Sequence, residues 1–364
     1  NAYRDRIRQD TDFQPPDTLH IGRDHRFRTL SQELRLEGTA GPARWLVGLY
    51  ADRSDHDLLN EQKLPQALNR MPATLDGGAT ALFTHWTLPL DRGWSVEAGA
   101  RLEHNRSRFT PAGQAEQSRS STEVSPRLAL QYQWSPATQL YASYSQGHRA
   151  GGFNVFVPAI GYAAYEPETL RSLEIGARGR LLDQRLRYSA ALYHMQIRDM
   201  QVQQMPVPGM VYVTNASSGE ATGAEFELDW VIAGGWQLQS GLAYNRMRFD
   251  RFRDGSAVYD GHRNPFAPDL SGYLGLRYDA AGGWHAQARW YGTGKVYLDA
   301  ANRYQRNGYG LLNLQAGQRF GDVELTAYVR NATDQRYDAV GFQNGFVTVY
   351  SPPREFGLRL TWRL

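Results

Sequence analysis

The sequence predicts an all-β fold: a transmembrane antiparallel β-barrel of about sixteen strands. Three observations carry that prediction. Over strand-length windows, apolar and polar residues alternate: Phe356, Leu358, Leu360, Trp362 and Leu364 interleave with Glu355, Gly357, Arg359, Thr361 and Arg363. The pattern recurs in Ala224, Phe226, Leu228, Trp230 and Ile232 against Glu225, Glu227 and Asp229. It recurs again in Leu128, Leu130, Tyr132 and Trp134, and in Val323, Leu325, Ala327 and Val329. Successive strand side chains point to opposite faces, so each segment has one apolar and one charged face. An apolar face about ten residues long is what a strand needs to cross a bilayer. The second observation is that connections alternate between short and long, the asymmetry of outer-membrane barrels. Tryptophan supplies the third. Trp45, Trp86, Trp94, Trp134, Trp230, Trp236, Trp284 and Trp362 all lie near a short turn or the C-terminus, as an interfacial belt requires, and only Trp290 does not.

Taken in order, segment 1–9 sets Arg4, Arg6 and Arg8 against Tyr3, Asp5 and Ile7 without an aromatic anchor, so it reads as the outer half of a strand. Strands 26–37 and 43–54 flank the turn signal Gly38–Pro42, 79–89 and 93–107 flank Asp91–Arg92, and 121–135 and 138–148 flank Ser135–Ala137. Strands 169–181 and 185–199 flank Leu182–Gln184, 211–232 and 236–250 flank Ala233–Gly235, and 268–280 and 283–295 flank Ala280–Gly282. The last three are 309–320 and 322–332 across Gly321, then 354–364. The long connections are therefore 10–25, 55–78, 108–120, 149–168, 200–210, 251–267, 296–308 and 333–353. A sheet edge cannot stand open in hydrocarbon. Strand 1–9 either pairs with 354–364 to close a small barrel or is preceded by further strands, and the second is expected.

Composition fits this reading. A mean hydropathy of -0.57 and the lack of any apolar run near twenty residues exclude transmembrane helices. Zero cysteines exclude disulfide frameworks, thiolate metal sites and cysteine nucleophiles. The formal charge of +3 comes from basic residues interspersed with acidic ones, which argues against nucleic-acid binding. No signal peptide is present, so a mature or truncated chain is expected.

Several stretches resemble the C-terminal half of TonB-dependent outer-membrane receptors: SQELRLEG from Ser31, QLYASYSQGHRAGGFN from Gln139, YEPETLRSLEIGAR from Tyr165, NASSGEATGAEFELDW from Asn215, YVRNATDQRYD from Tyr328 and PREFGLRLTWRL from Pro353. Within that family, GHRNPFAPDLSGYLGLRYD at Gly261–Asp279 is similar to receptors of the ferric-yersiniabactin (pesticin) type. The resemblance spans 1–364 and implies a 22-stranded barrel, filled by an N-terminal plug that carries the TonB-contacting segment. The strands here would be the last sixteen of those 22, with the plug and first six strands absent. It further implies a monomer in the bacterial outer membrane, among lipid and lipopolysaccharide. The function implied is import of a ferric siderophore, energised through TonB. The terminal Leu364 stands where such barrels usually end in an aromatic residue.

A siderophore already satisfies its iron, so the protein needs stacking surface and hydrogen-bond donors, not metal ligands or a cofactor. Loop 149–168 offers Arg149, Phe153, Phe156, Tyr162 and Tyr165; segment 200–212 offers Met200, Gln203, Gln204, Met205 and Tyr212. Loop 251–267 offers Tyr259, His262 and Arg263, and loop 333–353 offers Phe342, Gln343, Phe346 and Tyr350. Cationic donors favour an anionic or neutral ligand. No catalytic constellation is present: serine, histidine and aspartate have no nucleophile-elbow context, so the protein is not expected to be an enzyme. His20 and His25 share a loop at a spacing unsuited to metal ligation, and His148 is the one candidate for a haem role. Asn105–Ser107 and Asn331–Thr333 match glycosylation sequons that mean nothing in a bacterial outer membrane. The alternative function is a sixteen-stranded general or substrate-specific diffusion porin, whose constricting loop would be 55–78.

Overall fold

The computed structural model describes residues 1–12, 20–157, 161, 163–207, 210–342 and 347–363. Sixteen strands form one sheet whose order follows the chain. They are β1 (Ala2–Asp12), β2 (His20–Ala40), β3 (Ala43–Leu64), β4 (Ala67–Pro89), β5 (Trp94–Pro111), β6 (Gln117–Ser135), β7 (Thr138–Arg149) and β8 (Glu168–Leu181). The remainder are β9 (Leu186–Val207), β10 (Met210–Val231), β11 (Trp236–Arg251), β12 (Leu270–Asp279), β13 (Trp284–Thr293), β14 (Tyr309–Phe320), β15 (Val323–Arg330) and β16 (Glu355–Trp362). The strand count matches the sequence prediction, and β1 and β16 stand at the two ends of the order.

Each short connection is a tight turn. Between β10 and β11, Gly234 and Gly235 take φ of 73° and 85°. A Cβ on Gly235 would lie 2.1 Å from the Asp279 carbonyl oxygen, so only glycine fits there. The eight rim tryptophans fall at strand ends on this turn side, as expected.

On the opposite side two predicted loops are strand. Region 55–78 is the outer part of the β3–β4 hairpin, in register from Ser54–Gly77 to Leu64–Ala67 and closed at 65–66. Of region 200–210, residues 200–207 are the end of β9 and Met210 starts β10. Asp55–Asp57 is polar on both faces, so no apolar alternation marks it, and pairing with β2 and β4 is what makes it a strand. His20 and His25 likewise lie on β2, not in a loop.

The chain forms two compact units: residues 1–130, 143–172 and 196–218, and residues 131–142, 173–195 and 219–364. In the first, Leu34, Leu36, Leu49 and Leu128 are exposed. The intervening residues carry the charge, with Arg101 and Glu103 paired at 2.5 Å and Arg101 stacked 5.2 Å over the Tyr50 ring. In the second, Leu325, Phe356, Leu358 and Leu360 are exposed on the apolar face. Glu324 lies on the other face, 3.1 Å from Arg319 and 3.5 Å from Arg363. The register is thus the one the alternation requires.

Aromatic rings lie over glycines directly across the ladder: Phe83 opposite Gly48 in the first unit, Tyr273 opposite Gly241 and Tyr328 opposite Gly357 in the second. A Cβ on these glycines would meet the ring at 2.1, 2.4 and 2.2 Å respectively. The missing side chain is the space the ring occupies.

Candidate functional site

The connection between β7 and β8 (150–167) folds into a small structure of its own in the first unit. Gly152–Phe153 pairs with Ala164–Tyr165, and the Tyr165 hydroxyl would sit 2.4 Å from a Cβ on Gly152. Phe153, 7% exposed, stacks on the fully buried Phe109 at 5.6 Å and packs with Leu58. Burying these apolar side chains anchors the loop on the β3–β5 extensions.

Side-chain amides then clamp it. Asn154 donates through Nδ2 to the carbonyls of Ala163 (2.8 Å) and Val213 (2.9 Å), and its Oδ1 accepts the Val213 N–H at 2.6 Å. Asn215 accepts the Glu166 N–H and donates to the carbonyls of Glu166 and Asp199. Gln201 donates to the carbonyls of Ala150 (2.9 Å) and Glu166 (3.1 Å). Arg119 forms an ion pair with Glu166. A loop whose carbonyls are satisfied this way has few ways to open.

Beneath the loop lies a cavity of about 820 Å³. Phe153, Phe156, Tyr165 and Tyr212, four of the predicted contact residues, line it. Phe156 stacks on the His25 ring at 5.8 Å and carries the Arg23 guanidinium 4.7 Å from its centroid. Burial pushes the Tyr165 phenol upward, and the charge of Arg149 opposes that shift. Arg149 itself is exposed and does not line the cavity. The charged lining sets Arg106 and Arg119 against Asp52, Asp76, Glu123 and Glu166, while burial pushes the His56 imidazole downward and favours its neutral form. Such a surface offers aromatic faces, donors and acceptors together, which suits a bulky polar ligand of low net charge.

The predicted residues of the second unit have other duties. Tyr259 packs inside its own loop, 5.2 Å from Phe252 and 5.8 Å from His262. Arg263 is held by both carboxylate oxygens of Asp269, and its N–H is bound to Asn302. Tyr162 and Phe346 lie outside the described residues. Met205 and Phe342 fall on strands, their side chains outside the description. The ring nitrogens of His148 contact Ser125 Oγ and Glu103 Oε1, both at 3.2 Å. Among the described residues no group of three or more metal-ligating side chains converges.

Sequence reasoning missed Asn154, Gln201, Arg23 and His25. Asn154 has no local signal, since its partner Val213 is 59 residues away. Asn154 and Asn215 both fall inside stretches already singled out by resemblance, which carry no mark of the clamp.

A family description, "TonB dependent receptor-like, beta-barrel", matches residues 1–332. The pesticin receptor of Yersinia enterocolitica is 28% identical over 355 residues, covering 91% of this chain and 50% of that protein. The ferric yersiniabactin uptake receptor FyuA of Yersinia pestis superposes with a TM-score of 0.86 at 22% identity, over 99% of this chain and 57% of that one. The siderophore receptor PiuA of Acinetobacter baumannii gives a TM-score of 0.77 at 15% identity, over 99% of this chain and 64% of that one. The chain spans about half the length of the curated relatives it matches.

Proposed function

This chain belongs to the TonB-dependent receptor β-barrel family of the bacterial outer membrane, and from that premise we propose that it is the barrel portion of a ferric-siderophore importer energised through TonB. The observation that carries the reading is the cavity under the clamped 150–167 loop, where Phe156, Tyr165 and Tyr212 converge. The names of the relatives, which cite yersiniabactin uptake and a siderophore, support the ligand class. The ligand is a chelate of low net charge that stacks on these rings and exchanges hydrogen bonds with the mixed charges around them. No chemistry is performed on it, and the receptor acts as a monomer surrounded by lipid and lipopolysaccharide. Coupling to TonB runs through a plug supplied by the complete receptor.

The test is uptake of radioactive iron by iron-starved cells carrying the complete receptor, with a siderophore panel, with and without TonB. Uptake of one low-charge chelate, abolished without TonB and weakened by Phe156→Ala or Tyr212→Ala, is expected. Ungated conductance in planar bilayers with TonB-independent uptake would restore the porin reading, which lost its constricting loop when 55–78 proved to be hairpin.

A further inference from the structure

The apolar face of the second unit has a gap in it. Register sets one transverse row across six strands: Trp236 opposite Tyr278, Tyr278 opposite Ala286, Ala286 opposite Ala316, Ala316 opposite Ala327, and Ala327 opposite Leu358. Three adjacent strands therefore contribute only a methyl group each, between an indole and a phenol on one side and a leucine on the other. Ala288, two residues along β13 and so on the same face, widens the gap between Leu276 and Leu314. The result is a depression of about 800 Å³, within the roughly 300–1,000 Å³ typical of small-molecule sites. We propose that it binds one phospholipid of the periplasmic leaflet, with an acyl chain lying in the alanine gap.

The occupant follows from position. This face continues the apolar surface that hydrocarbon covers in an outer-membrane barrel. Ala286 and Ala288 are the third and fifth residues of β13, counted from the turn side where the rim tryptophans gather. At about 3.3 Å per residue they lie roughly 7–13 Å inside that rim, within one leaflet of a hydrocarbon core about 30 Å thick. The rim of short turns is the periplasmic one, so the leaflet is the phospholipid leaflet, not the lipopolysaccharide one. Lipid tails are as apolar as leucine, and a smooth face would not distinguish one lipid from the next. A recess does, because the chain gains dispersion contacts on several sides at once.

A polar group marks the headgroup end. Gln318 is two residues past Ala316 on the same face and opposite Trp284. Its Nε2 donates to the Gly282 carbonyl at 2.8 Å, while its Oε1 is buried without a hydrogen-bond partner among the described residues.

The experiment is native mass spectrometry of the full-length receptor, purified from outer membranes and exchanged into mild detergent with phosphatidylethanolamine. The Ala288→Phe/Ala316→Phe variant fills the gap without making the face polar, and Leu102→Phe on the apolar face of the first unit serves as control. Wild type and control should each retain one phospholipid, and the filled variant about tenfold less at equal lipid, all three migrating as heat-modifiable barrels. Should the double variant fail to assemble, Ala316→Leu alone decides by the same ratio. Equal retention in the filled variant, or none in wild type, overturns the proposal. So does a dimer that dissolves when the gap is filled, since a second copy would then be the occupant.

Discussion

Replacing Asn154 with alanine should release the 150–167 loop while leaving the sheet intact. The side chain is 6% exposed and makes three hydrogen bonds, two of them to the backbone of Val213. Ala163 keeps a second donor, the Asn154 N–H at 3.1 Å, so its carbonyl is not orphaned by the change. The Val213 N–H and carbonyl lose their Asn154 partners. A net hydrogen bond is worth about 1 kcal/mol, and an unsatisfied buried group costs about 1–3 kcal/mol. Gln201 and Asn215 still hold the loop, so the local loss is roughly 2–3 kcal/mol. At 1.4 kcal/mol per decade this is roughly a 30- to 150-fold rise in the open population. Hydrogen exchange reads this directly: the Val213 amide and loop 150–167 should exchange faster by that factor, with β13–β16 unchanged. Ligand affinity should fall, since the loop roofs the cavity. Protection at Val213 within threefold of wild type would refute the reasoning and leave the amide clamp without energetic weight.

Other outcomes can be stated briefly. Phe156→Ala should weaken siderophore binding by about 1–3 kcal/mol, whereas Tyr259→Ala, inside its own loop core, should lower loop protection and leave affinity unchanged; isothermal titration beside hydrogen exchange separates them. Gly223→Val places a Cβ 2.3 Å from the Tyr193 ring and 2.4 Å from the Tyr244 carbonyl oxygen, where backbone cannot yield. Overpacking of this kind costs about 1–3 kcal/mol or more, and the urea midpoint of refolding into liposomes should drop accordingly. Tyr165 has its folded-state value raised above the ordinary 10.0, so its contribution is complete below that pH and is lost as pH climbs through the raised value. Loop exchange should therefore accelerate above about pH 10 in wild type, and Tyr165→Phe should flatten that dependence.

The membrane-spanning part of this protein was legible from sequence because its determinants are local. A period of two, as in Phe356–Trp362, reports one face in hydrocarbon and one in a polar interior, and turn residues such as Gly234–Gly235 punctuate it. The same rule hid the outer hairpins. Beyond the bilayer, strands such as Asp55–Leu64 have no lipid face to keep apolar, so only pairing with β2 and β4 reveals them. The site divided along the same line. That aromatic residues gather in the long connections is a matter of composition, but which of them a ligand can reach is decided by distant partners. Phe153 is taken by Phe109, while Phe156 is presented by Arg23 and His25. Sequence by itself determined the faces, the register and the rim, because alternation and turns act over a few residues. Only tertiary structure decided the cavity, its amide clamp and the alanine gap, because each arises where strands far apart in the chain are brought side by side.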